Sequence, residues 1–324
     1  MSTSLAELIK REALALGFAA VGIAPAAPLP EHQRAFRTYL EDGRHAGMAY
    51  LAQEPERRED PARVLPGAKS VIALGWAYYA GDHPPPPDPL AGRIARYAWG
   101  PDYHDVIEPR LERLKAFILA HRPDAAIRCA VDHAPVLERA YAQHAGLGFI
   151  GKHTLLITPD HGSWILLGEL ITDIELPVDD PAVNQCGSCT RCMEACPTGA
   201  LTAPFQLDAG RCIAYLTIEN KNEIPAPLRP LVGDWIFGCD LCQEACPYNE
   251  APVESSAQPE APGRGQAGEL GPWLMLDDAA TPRSHGQYRD RFARTALRRI
   301  TSKHLTRNAA VVRANQLTAD RPMA

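Results

Sequence analysis

Apolar positions recur along the chain at two periods. Leu5, Leu8, Ile9 and Leu16 fall on one stripe of a helix near the N-terminus. Val106, Ile107, Leu111, Leu114 and Ile118 mark one face of a second helix over 105–121, and residues 134–145 predict a third. Short apolar runs at 70–76, 126–131, 153–158 and 163–171 have the length and composition of strands. The run Pro84–Pro87 predicts a stiff exposed loop. These signals give a mixed α/β domain over 1–175. Near residue 176 they give way to dense Cys, Pro and Gly, which predicts a second, smaller domain over 176–250. Residues 250–272 are rich in Pro, Gly, Glu and Ala and read as linker. The segment 251–324 is therefore expected to be linker followed by a short basic helical region.

Charge changes this picture at one end. The 324 residues carry a formal net charge of −6, which excludes a uniformly basic nucleic-acid binder. Yet residues 283–313 hold nine Arg and Lys against one acid, a local +8 that leaves −14 on the rest. Two readings stay open: a solvated helical face, or a surface that meets a phosphate backbone. No apolar run reaches the ~18–20 residues of a membrane helix. No signal-peptide layout or twin-arginine motif opens the sequence, so a cytoplasmic protein without a membrane is expected. Nothing suggests a coiled coil or a large apolar stripe, and a monomer is expected.

Nine cysteines in a reducing compartment call for a use other than disulfides. Cys129 stands alone in a predicted strand and reads as a small core residue. The other eight lie between Cys186 and Cys246. Cys186-x-x-Cys189-x-x-Cys192-x-x-x-Cys196-Pro197 is the bacterial ferredoxin run, whose first three thiolates hold one [4Fe–4S] cluster while the fourth serves another. Cys239-x-x-Cys242-x-x-x-Cys246-Pro247 repeats the end of that run, and Cys212 supplies the missing position. The crossed rule groups Cys246 with Cys186, Cys189 and Cys192, and Cys196 with Cys212, Cys239 and Cys242. Zinc sites or a disulfide framework are the alternatives. Zinc usually uses separated CxxC pairs without a third close Cys and without Cys-Pro.

Three other motifs do not hold up. Gly146-x-Gly148-x-x-Gly151 resembles a dinucleotide fingerprint, and Gly151-Lys152 nearly ends a phosphate loop. Both need a strand before and a helix after, whereas here a helix precedes and a strand follows. Asp102-x-His104 lacks the Gly that completes a cobalt-ligating pattern, since position 107 is Ile. Asp132 ends the predicted strand 126–131, sharing a face with Arg128 and Ala130. It could cap the following helix or carry chemistry.

Taken together, the segments resemble the epoxyqueuosine reductase family of tRNA queuosine synthesis. The resemblance rests on DHAPVLER at 132–139 with GLGFIGKHTLLI at 146–157, RCIAYLTIENK at 211–221 and IFGCDLCQEACPYN at 236–249. RYAWGPDYH at 96–104 and LRRI and TRNAA within 297–310 fit as well, while His153 stands where members usually carry Asn. The resemblance implies an α+β protein: a nitroreductase-like α/β domain that cradles cobalamin, then a ferredoxin-like domain with two [4Fe–4S] clusters. It implies reductive deoxygenation of epoxyqueuosine at the tRNA wobble position, with Asp132 as the proton donor. Arg58, Tyr97, Asp132, Asp240 and Gln243 become candidate cobalamin contacts, and Asn220, Lys221 and Arg229 candidate tRNA contacts. Arg298, Arg299 and Arg307 of the basic region join the tRNA set, as phosphate contacts remote from the chemistry. An external electron donor of flavodoxin or ferredoxin type is expected to recharge the clusters. Two other readings are a cobalamin-dependent reductive dehalogenase, a family that typically carries a twin-arginine leader, and a plain ferredoxin-type electron carrier.

Overall fold

A computed structural model describes residues 4–132, 134–250 and 270–319. Four strands form an antiparallel sheet in the order Ala20–Pro25, Ser70–Ala77, Ile165–Thr172, Ile127–Ala130. Both faces are covered, which is why the central strands read as continuous apolar runs. Ile72, Leu74 and Leu170 face the helices Leu5–Ala15 and Tyr103–His121, meeting Ile9, Leu111, Leu114 and Ile118. Val71, Ala73 and Ile171 face the other way, onto Tyr141 and Ala142 of the helix Glu138–His144. The period-2 alternation of the strands thus feeds two cores.

Two predicted elements are shorter than expected. Residues 151–155 form a turn, with Thr154 in a left-handed conformation, so only Leu156–Ile157 remain strand, paired with Phe149–Ile150. The third helix begins at Glu138 rather than 134, because Pro135 disfavours helical geometry in the residue before it. The glycines of the rejected dinucleotide motif serve this hairpin. Gly146 sits at φ +78°, and a Cβ on Gly148 would lie 2.1 Å from the Ile157 carbonyl oxygen.

A second sheet joins the three sequence segments. Ala91–Ile94 is its centre, parallel to Trp235–Phe237 and antiparallel to Trp273–Met275. The C-terminal region is therefore no loose tail. Its helices Leu276–Ala280, His285–Phe292 and Ser302–Ala319 close a core of Ile94, Trp99, Phe237, Phe292, Leu297, Leu305 and Val312. The linker expected over 250–272 falls, for 251–269, outside the described residues. Among the described residues no helix is long and apolar enough to cross a membrane.

Asn308 pins the C-terminal helix to the cysteine-rich segment. Its buried Nδ2 donates to the carbonyls of Thr217 and Ile236. Asn308→Leu should strand both acceptors and cost about 1–3 kcal/mol for each. A lowered urea midpoint with loss of bound iron would register that cost.

Candidate functional site

The cysteine-rich segment folds as two similar halves. Short helices Arg191–Glu194 and Leu241–Glu244 each carry the middle of a cysteine run and pack on one another. That packing brings Cys246 to Cys186, Cys189 and Cys192, whose charges it feels, and sets Cys246 and Cys186 in one apolar cluster with Phe149, Ile157 and Tyr248. Cys242 in turn feels Cys212 and Cys196, and Cys239 feels Cys242 and Cys212. These neighbours make one group of Cys186, Cys189, Cys192 and Cys246 and a second of Cys196, Cys212, Cys239 and Cys242, with Cys242 also within electrostatic reach of Cys192. Backbone N–H groups of Lys152 and Ala200 donate to the sulfurs of Cys186 and Cys196. Lys152 is buried and its ammonium ties the first group's loop together, donating to the carbonyls of Gly187 and Cys189 at 2.7 and 2.8 Å. None of the nine cysteines is paired in a disulfide. Cys129 packs against the first core and lies in neither group.

A cavity of about 1230 Å³ opens beside the second group. It exceeds the roughly 300–1,000 Å³ of an ordinary small-molecule pocket. Cys196, Cys212, Cys239 and Cys242 line it, whereas Cys186, Cys189, Cys192 and Cys246 do not. Apolar walls come from Leu155, Leu166, Leu167 and Ile218, and the polar side is built by Asp132 and its neighbours.

Asp132 follows the strand Ile127–Ala130 but leaves its geometry. Its φ of +49° is left-handed, a conformation that costs an L-residue roughly 1–2 kcal/mol and that Asp tolerates better than most. The face alternation expected from the strand does not extend to it. Nor does it cap the next helix, which has no side-chain cap. Three groups converge on its Oδ2. The Tyr103 hydroxyl donates at 2.9 Å, Arg299 Nη1 lies 3.5 Å away and His104 Nε2 3.9 Å away. His104 Nδ1 is 2.7 Å from Asp102 Oδ1. Burial would lower the His104 pKa, but the contacts with Asp102 outweigh it and raise it. Asp102 also caps the helix that carries Tyr103 and His104, which fixes both rings near Asp132.

The other candidate residues divide. Tyr97 lines the cavity, edge-on to Tyr103, and burial pushes its phenol up. Asp240 lines it too, but its Oδ2 accepts from the Arg96 backbone N–H and guanidinium, and burial pushes it up to about 6. Gln243 reaches the cavity with Nε2 held by the Ser163 carbonyl and hydroxyl and by Tyr78. Arg58 stands behind the Asp132 loop instead, its Nη1 3.5 Å from the Ala134 carbonyl and its buried Nε without a partner among the described residues. Asn220 is buried in a turn with Asn222 and Glu223, Lys221 is exposed, and Arg229 donates to the Ile224 carbonyl.

The three tail arginines are structural neighbours of the site. Arg298 pairs with Asp102 at 2.8 Å and Arg299 bridges Glu219 and Asp132. Arg307 spends its guanidinium on the carbonyls of Leu216, Asn220 and Asn222. Arg298 and Arg299 line the cavity, against the expectation that all three stand apart from it, whereas Arg307 does not line it. Sequence reasoning also missed His153 as a cavity group. Its Nδ1 accepts from the Leu155 N–H, so the proton sits on Nε2, which is buried and has no hydrogen-bond partner among the described residues. Burial lowers its pKa to about 4, keeping the ring neutral.

The sequence compares with known families as follows. Residues 185–249 match the family described as 4Fe-4S double cluster binding domain, and residues 58–133 that described as epoxyqueuosine reductase QueG, DUF1730. An epoxyqueuosine reductase of Synechococcus sp. (strain CC9605) is 41% identical, over 95% of this chain and 94% of that protein. One from Pseudomonas aeruginosa is 42% identical, over 95% and 84%. A Bacillus subtilis epoxyqueuosine reductase with its catalytic aspartate loop swung out of the active site superposes with a TM-score of 0.85 at 30% identity, over 96% of this chain and 81% of that one. A crystal structure of epoxyqueuosine reductase with an epoxyqueuosine-modified tRNA-Tyr stem loop gives the same TM-score and coverage at 31% identity.

Proposed function

The chain belongs to the epoxyqueuosine reductase family, and from that premise we propose that it reduces epoxyqueuosine to queuosine at the wobble position of tRNA. The observation that carries this reading is one cavity with four cluster-type cysteines on one wall and Asp132 on another. The net reaction removes the epoxide oxygen: both its C–O bonds break, a C=C bond forms, and two electrons with two protons convert the oxygen to water. Two [4Fe–4S] clusters suit a supply of electrons one at a time. The set that lines the cavity is the donor to the reacting centre, and the Cys186 set is the entry point for an external flavodoxin- or ferredoxin-type protein. A tRNA substrate places the protein in the cytoplasm.

The cavity residues fit cobalamin, the family's cofactor. The volume suits a guest larger than a drug-sized ligand, and the unpartnered Nε2–H of His153 offers a donor to an amide carbonyl. Tyr97, Asp240, Gln243 and His153 would hold it. Bound cobalamin supplies a redox-active, nucleophilic metal centre that no side chain can replace. The chain's own part is the proton. A catalytic aspartate on a loop in the Bacillus subtilis relative supports Asp132, which stands on a loop at the cavity here. Asp132 would protonate the departing oxygen, with Tyr103 orienting Oδ2 and the Asp102–His104 pair refilling it. Arg299 would hold the carboxylate left behind.

The test is conversion of epoxyqueuosine in tRNA, followed by nucleoside mass analysis, with anaerobic protein reconstituted with clusters and cobalamin. A plain electron carrier would show iron–sulfur absorption without retaining the corrinoid. A corrin-loaded protein that left the epoxide intact would sink the reading.

The basic face calls for a test that spares Arg298, Arg299 and Arg307. Arg291, Arg294 and Lys303 are exposed on the same region and do not line the cavity. Changing all three to Gln should raise the KM for tRNA and flatten the salt dependence, by up to about 0.7–0.9 in log–log slope for each lost phosphate contact. Turnover at saturating tRNA should hold. An unchanged slope would make this a solvated face.

A further inference from the structure

Two carboxyls adjoin the Asp132 loop, one half-buried at the cavity wall and one fully buried, and neither is given a part in the reaction above. Glu169 sits in the middle of the strand Ile165–Thr172, fully buried, with Ala73 and Ala130 opposite it on the flanking strands. Neither of its oxygens meets a hydrogen-bond donor among the described residues. The group in hydrogen-bonding contact with it is another carboxyl, that of Glu138 at the start of the helix Glu138–His144. Two carboxylates can accept but not donate, and Glu169 is fully buried, so this contact requires a proton between them. Glu138 is also engaged on the side of the loop. Its Oε1 accepts the backbone N–H of Asp132 at 2.5 Å, where the chain takes its left-handed turn.

We infer that Glu138 and Glu169 share one proton and that this pair is the latch holding the Asp132 loop in place at the cavity. The proton links the two side chains. Glu169 is fixed in the sheet, Glu138 is fixed by Glu169, and the Asp132 N–H is fixed by Glu138. Without the proton, two negative charges would face each other inside the protein, and Glu138 would swing away and free the loop. Glu138 and Glu169 are positioning residues: they act through Asp132 and touch no reacting atom. The inference rests on Asp132 as proton donor for its effect on turnover, but not for the shared proton itself.

Charged groups around the pair act in opposite senses, Asp132 raising the Glu138 carboxyl and Arg139 lowering it. Asp132 faces it from the loop, Arg139 from the same helix and Arg58 from the helix Pro55–Glu59. Burial comes first; next, Asp132 for Glu138 and Glu138 for Glu169 push both carboxyls upward, Glu169 the further. The pair therefore loses its proton at higher pH than an ordinary carboxyl does, so the latch is closed on the acid side and opens as pH rises.

Three variants of the cluster- and cobalamin-loaded enzyme test this. Glu138→Ala removes the latch, and kcat should fall about 10- to 100-fold from misplacement of Asp132, with KM for tRNA and iron content unchanged. Glu138→Gln can still accept from Asp132 and donate to Glu169, so it should recover most of that loss. Glu169→Gln donates permanently to Glu138, so kcat should stay within a few-fold at neutral pH and its alkaline fall should move or vanish. Difference infrared spectra give a readout independent of activity: wild type should show a protonated carboxyl lost on alkalinisation, and Glu169→Gln should not. The latch is overturned if that band survives in Glu169→Gln, or if Glu138→Ala turns over like wild type. An inactive Asp132→Asn beside a normal Glu138→Ala would sink the latch alone; an active Asp132→Asn would sink the proton-donor reading and leave the infrared band to decide the latch.

Discussion

Replacing Asp132 by Asn should lower turnover by about 10²–10⁴, the usual weight of one general acid, while cobalamin loading and tRNA affinity survive. Asn keeps the shape, and its amide oxygen can still accept from the Tyr103 hydroxyl that now binds Oδ2 at 2.9 Å. It also tolerates the left-handed φ of +49°, so the loop should keep its course. What is lost is the transferable proton and the negative charge that Arg299 faces at 3.5 Å. Single-turnover assays on tRNA with the corrinoid spectrum monitored separate the outcomes. Activity within a few-fold of wild type, with the corrin bound, would move the donor role to Tyr103 or to His104, whose Nε2 is 3.9 Å from the same oxygen. Removing Asp102 should act in the same direction but less, since it orients His104 and caps its helix.

The parts of this site that were legible in the sequence are those set by local spacing. The cysteine runs are a pattern of local spacing, so a two-cluster domain could be read from them without a fold. The strands Ser70–Ala77 and Ile165–Thr172 were readable because both faces are buried and composition alone marks them. Asp132 could be singled out, but not its left-handed turn, which depends on Glu138 six residues on. Glu169 left a signal that went unread: one acid inside the apolar run 165–172, whose cost in a fully buried strand demands a partner. The role of the basic region was hidden for a different reason. Charge count marks a surface, but only the second sheet, which pairs Ala91–Ile94 with Trp273–Met275, shows that Arg298 and Arg299 return to Asp102 and Asp132.

Changing Cys246 to Ser should damage the cluster held by Cys186, Cys189 and Cys192, although the cysteines nearest to it in sequence are Cys242 and Cys239. The reason is the contact between the helices Arg191–Glu194 and Leu241–Glu244, which turns the end of the second run toward the start of the first. Cys246 there shares an apolar cluster with Cys186, while Cys242 faces Cys212 and Cys196. Iron content should drop from about eight atoms per chain towards four. The electron paramagnetic resonance of the remaining cluster should lose the broadening caused by its neighbour. Because that remaining cluster lines the cavity and the damaged one does not, the two substitutions should also differ kinetically. Cys246→Ser should abolish turnover driven by a protein donor yet keep part of the turnover driven by a small chemical reductant. Cys242→Ser, which breaks the wall of the cavity itself, should abolish both. If Cys246→Ser instead spared the Cys186 cluster and stripped the cavity-lining one, the crossed grouping would be wrong, and with it the order in which electrons reach the substrate.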